Sequence, residues 1–173
     1  MFENAEVAID ELPQADAVDW QSLDPKFKTM HQVQCLIFML AFAIPILIVN
    51  IFTDIPGKAA AGIWLNWAVI FAFWLIWPII AVPKRGYVVR DKDLLFKKGV
   101  VWRSVTAVPF NRIQHVETSH TPLDRKFDLA TLQLFTAGGT GGDLKIDGLA
   151  ADIAEQLRVY ILKKAGSSIE HAE

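Results

Sequence analysis

The residues best equipped for chemistry lie between positions 109 and 142, in PFNRIQHVETSHTPLDRKFDLATLQLFTAGGTGG. His115, Glu117 and His120 offer acid-base groups, Arg112 and Arg125 offer guanidinium forks, and the glycines at 138–142 suggest a phosphate cradle. Histidines five apart on one regular strand point to opposite faces, so His115 and His120 cannot share a metal or a proton unless a bulge intervenes. No His-Glu-x-x-His run or Gly-x-Ser-x-Gly elbow accompanies them, and His31 and His171 fall outside the segment. The glycine run lacks the Gly-Lys-Ser/Thr ending and precedes a strand instead of opening a helix, which makes it a hairpin turn. Arg112 and Arg125 stand at loop entries, where a guanidinium can bond free carbonyls or pair with Asp124 or Asp128. The segment therefore reads as β-domain wiring: Pro109 and Pro122 start turns, Ile113, Val116, Phe127, Leu129, Leu132 and Leu134 supply core, and the polar positions tie loops. No catalytic residue, metal or cofactor is expected, and the protein reads as non-enzymatic.

Two other features carry functional weight. Lys92, Lys97, Lys98 and Arg103 surround Gly99, diluted by Asp91 and Asp93. Each such charge beside an anionic leaflet is worth about 1 kcal/mol, so this hairpin is a candidate contact for lipid headgroups or a partner. Asn66 stands alone as a strongly polar side chain within an apolar run of 24 residues, 59–82. A lone amide in such a run is best satisfied by a neighbouring helix, so Asn66 is a candidate packing position in a membrane assembly.

The elements that position these residues follow from composition. The chain has 173 residues, 53% of them hydrophobic, and a mean hydropathy of +0.31. Residues 33–52 and 59–82 are apolar runs that, at about 1.5 Å per residue, each reach roughly the 30 Å of a bilayer's hydrocarbon core. The short connector TDIPGK makes them an antiparallel hairpin with both chain ends on one side. Lys26 and Lys28 precede the first run, Lys84, Arg85, Arg90 and Lys92 follow the second, and Lys58 sits in the connector. By the positive-inside rule both ends face the cytoplasm, at the plasma (inner) membrane. The single cysteine, Cys35, lies in the first run and excludes an intrachain disulfide. Residues 1–24 carry seven acids and no base, whereas residues 84–173 carry fourteen Lys and Arg against eleven Asp and Glu. Residues 1–30, which contain Pro13 and Pro25, are expected to be a disordered acidic tail, with Trp20 near the membrane surface.

From Gly86 onward short alternating segments read as strands: YVVR, LLFKKG, VVWRSVTAV, IQHVETS, LATLQLFTA and DLKI. After Gly148 the spacing of Ile153, Leu157, Tyr160 and Ile161 predicts an amphipathic helix with Gly166 as its C-cap. An α+β membrane protein is expected, in which a transmembrane hairpin at 31–83 precedes a domain at 84–166, with a tail at 167–173. That domain would be a pleckstrin-homology-like antiparallel sandwich or barrel capped by the terminal helix.

With these residues laid out, the chain resembles the bacterial pleckstrin-homology family of small, two-span, YdbS-like membrane proteins. The resemblance is carried by RGY at 85–87, LLFKKGVVWR at 94–103, PFNRIQHVE at 109–117, TPLDRKFDLATLQLFTAGG at 121–139 and IDGLAADIAEQL at 146–157. One departure is visible: Asp128 stands where relatives usually have the glycine of an FGL element. Aspartate tolerates a positive φ at modest cost, so the turn is expected to survive. The resemblance implies a membrane-anchored subunit or scaffold, the companion of a larger membrane protein carrying further copies of the domain, or of a second copy of itself. The alternative is a sensor of anionic lipid headgroups acting through the basic hairpin. Membrane lipids are the other expected partner, and nucleic acid is not expected.

Overall fold

A computed structural model of the chain describes residues 18–136 and 144–170, with side chains as far as residue 166. In chain order its elements are β1 (Gln21–Ser22), α1 (Pro25–Phe52), α2 (Gly57–Ala81), β2 (Gly86–Val89), β3 (Asp93–Lys98), β4 (Ser104–Pro109), β5 (Ile113–Ser119), α3 (Pro122–Phe127), β6 (Leu129–Thr136), β7 (Leu144–Ala150) and α4 (Ala151–Glu170). Single 3-10 turns at Val82–Lys84 and Phe110–Arg112 complete the path.

Pro25–Phe52 and Gly57–Lys84 each contain an 18-residue stretch of high mean hydropathy, 2.7 and 2.1, and the two long helices carry most of the exposed large apolar side chains. That exposure is what a bilayer accepts and water does not. Asp24 starts α1 by accepting from the Lys26 amide at 2.7 Å, with Pro25 in the first turn where its missing N–H costs nothing.

The β-domain consists of two antiparallel sheets, ordered β1-β2-β3-β4 and β5-β6-β7. Leu94, Phe96, Val108, Val116, Leu129, Leu132, Leu134, Ile146 and Leu149 meet between them, and Ala154 and Ile161 of α4 close the opening. The α+β architecture expected from the sequence is therefore present.

Four local expectations are corrected. Residues 18–30 are not a separate tail: Gln21 and Ser22 pair with Tyr87 and Gly86, and Leu23, Phe27 and Met30 lie in the domain core. Val100–Arg103 forms a turn instead of the start of a strand, because Gly99 takes φ +105° and reverses the chain there. Pro122 opens the short helix α3, not merely a turn, since Thr121 and Asp124 form a reciprocal capping box that satisfies its first amides. Gly166 is no C-cap, because α4 continues through it to Glu170 and takes in the first residues assigned to the 167–173 tail. The glycine run at 138–142 and residues 1–17 of the acidic tail lie outside the described residues.

Candidate functional site

The junction between hairpin and β-domain is built from the first turns of α1. Leu23, Phe27 and Met30 recur at helical spacing and point into the core, where Phe27 is only 2% exposed. Phe27 rests on Gly148, which sits at φ +80°, and a Cβ there would overlap the Phe27 ring. The Asp24 amide donates to the Gly148 carbonyl at 3.0 Å. Just beyond the other helix and its closing 3-10 turn, Arg85 donates through Nη1 to Asp147 Oδ2 at 2.7 Å, and its guanidinium lies 5.8 Å from the Phe27 ring centre. Both strands of the hairpin are thus fixed to the same end of β7, and hairpin and domain share one core.

The basic residues do not form one patch. Lys92 immediately precedes β3 and Lys97 lies near its far end, about 17 Å away at the usual strand rise. The Lys92 carbonyl accepts from the Phe110 amide, at the end of β3 away from the turn. Lys97 folds over the Trp20 ring at 4.4 Å, a cation-π contact that also places Trp20 against the sheet. Lys98 and Arg103 remain, both exposed, on either side of the β3–β4 turn. Between them Val101 and Trp102 are 71% and 87% exposed.

Asn66 lies on the exposed surface of α2, about 14 Å along the helix from Gly57. Its amide makes no side-chain hydrogen bond among the described residues. Its neighbour Trp67 turns inward and stacks on Phe71, with ring centres 5.4 Å apart. A cavity of about 530 Å³ opens between the helices at their domain end, walled by Phe38, Met39, Trp74 and Pro78, with His31, Gln34 and Arg85 among its polar lining residues.

The histidines are engaged separately. His120 donates through Nδ1 to the Leu129 carbonyl at 2.8 Å, and the His115 ring lies 5.7 Å from that of Phe135 across the β5–β6 ladder. A register irregularity does occur between Ile113 and His115, but it does not bring the two histidines together. Among the described residues no three His, Cys, Asp or Glu side chains gather as a metal site. The loop ties also differ from expectation. Arg112 and Arg125 are exposed and make no side-chain hydrogen bond or ion pair among the described residues, and the Asp124 carboxylate accepts from the Thr121 amide at 2.8 Å instead. Asp128 is a tie through its backbone: it takes the left-handed conformation at φ 59°, ψ 43°, ends α3, and accepts from the Ala151 amide at 3.1 Å. Sequence reasoning missed Leu23, Phe27, Met30 and the Arg85–Asp147 pair. The spacing of the first three was the available signal; nothing local announces the fourth.

The profile of a family described as "Bacterial PH domain" matches residues 35–165. Over 112 residues the chain is 32% identical to UPF0699 transmembrane protein YdbS of Bacillus subtilis (strain 168), covering 59% of this chain and 69% of that protein. No solved structure gives a significant match. Neither description names an enzymatic activity.

Proposed function

Because this chain belongs to the bacterial PH domain family and is a membrane protein, we propose that it is a non-enzymatic anchored subunit of a membrane protein assembly. In this reading the hairpin holds the domain at the cytoplasmic face of the plasma membrane, and partners dock on the hairpin and on the open edge of the first sheet. The observation that carries it is Asn66, a bare amide on the outer surface of the apolar run 59–82, well inside the span and away from the lysines at its two ends. An amide in hydrocarbon is stabilised by a partner helix, and its presence is costly without one. Strand β4 adds a second docking element: it is the outer strand of its sheet, with Ser104, Val105 and Ala107 exposed. Such an edge receives another strand readily. The shared core supports the same role, since a domain fixed to its anchor presents its edge at a constant height and orientation. The partner is a second copy of this chain or a membrane protein bearing related domains.

Pull-down of the tagged full chain from mild detergent, with and without Asn66→Leu, tests this. An interhelical polar contact of roughly 0.6–2 kcal/mol predicts that the variant retains about three- to thirtyfold less partner. Recovery of a monomer from the wild type, or undiminished capture by Asn66→Leu, would overturn the reading.

A further inference from the structure

We propose that the β3–β4 turn, residues 99–103, is a third membrane contact: a tryptophan-tipped, basic-flanked loop seated in the headgroup layer of an anionic bilayer beside the end of α2. The sheet register places it there. β2 starts at Gly86, just beyond the 3-10 turn that ends the second span, and its pairing partner is Lys97. An antiparallel ladder begun at the membrane therefore returns β3 to the membrane as it reaches Lys98. The return is visible as a cleft of about 240 Å³ lined by Trp77, Ala81 and Arg85 from the second helix and its exit and by Lys98, Gly99 and Trp102 from the turn.

What the turn offers there is not a water-facing surface. Among the described residues Val101 and Trp102 are the most exposed large apolar side chains of the β-domain, whereas Phe96 and Phe110 are buried. An indole prefers the bilayer interface, where its ring meets acyl chains and its N–H stays among headgroups. Lys98 and Arg103 flank it, and neither is committed to an ion pair among the described residues. Beside an anionic leaflet each charge shifts the docked population roughly fivefold. The turn is also shaped: Gly99 at φ +105° leaves room that the Trp102 carbonyl occupies, so a side chain at 99 would push the tip away. With the span ends, this contact would make three points and fix the tilt of the domain against the membrane. The inference rests on α2 lying in a bilayer and is independent of the docking assigned to Asn66.

The test uses the full chain with Cys35→Ser and Trp102→Cys, labelled at residue 102 with a polarity-sensitive fluorophore. The labelled protein is reconstituted into vesicles of phosphatidylcholine with or without phosphatidylglycerol. Arg112→Cys, near the other end of the first sheet, serves as the reference, and Val101→Cys repeats the reading should the Trp102 variant fold poorly. In anionic vesicles the label at 102 should be shielded from iodide and quenched by headgroup-attached nitroxide, while the label at 112 is open to iodide. Lys98→Gln with Arg103→Gln should return much of that shielding. Equal iodide access at 102 and 112 would overturn the proposal. Shielding at 102 without quenching by nitroxide lipid would also overturn it, assigning the tip to a protein contact.

Discussion

At the residue scale, two backbone positions decide how the domain is joined. Gly148 takes φ +80° and lies under Phe27, so an added methyl meets both backbone strain and an occupied space. Gly148→Ala should destabilise the fold by about 3 kcal/mol, read as a fall in melting temperature. Asp128 also has a positive φ, but as the end of α3 with its side chain exposed. Asp128→Gly should be tolerated, within about 1 kcal/mol, whereas Asp128→Val should cost more because β-branching disfavours the left-handed region. Tyr87 gives a pH signature. Burial raises its phenol above the ordinary tyrosine range, so the fold favours the neutral form. Its contribution is therefore full below the unfolded value of about 10 and is lost as pH rises through the higher folded value. On the alkaline side the melting temperature should fall with pH in the wild type and fall less in Tyr87→Phe; equal slopes against pH would show that this phenol is not responsible.

At the element scale, the segment before the first span matters more than its composition suggests. Leu23, Phe27 and Met30 belong to the β-domain core although they precede the apolar run at 33–52 in the chain. Phe27→Ala should cost about 3–5 kcal/mol, a value ordinary for a core aromatic and unexpected for a solvated tail. Residues 84–173 expressed alone should bind a hydrophobic dye and melt below the full chain; a sharp, equal transition would contradict the shared core. The spans were legible because twenty or more apolar residues in a row admit few other fates. Most strands were legible from alternation, and α4 from its 3.6-residue period. Residues 18–30 were misread because the acidic side chains and prolines around them mask three apolar positions, one of which, Phe27, packs on Gly148 about 120 residues further along the chain. The capping box at Thr121 and Asp124 was readable in principle, but a helix of six residues, Pro122–Phe127, gives too little periodicity to separate it from a turn.

At the scale of the whole molecule, two helices and two sheets act as one body whose exposed specialisations all face outward from that shared core. The basic hairpin was only partly legible as a site: spacing cannot say that Lys97 is taken by Trp20 or that Lys92 stands just beyond the far end of a strand. Asn66 was legible because polarity is conspicuous in an apolar run, and its outward direction required the hairpin's geometry. In the proposed function this outward amide and the sheet edge serve an assembly. The most direct measurement is the mass of the protein-bearing particle extracted in its native lipids without detergent. The account predicts a mass above that of one 19.4 kDa chain, by a further copy or a membrane partner, which falls to the single chain in Asn66→Leu. A wild-type particle holding one chain and no other protein would contradict it.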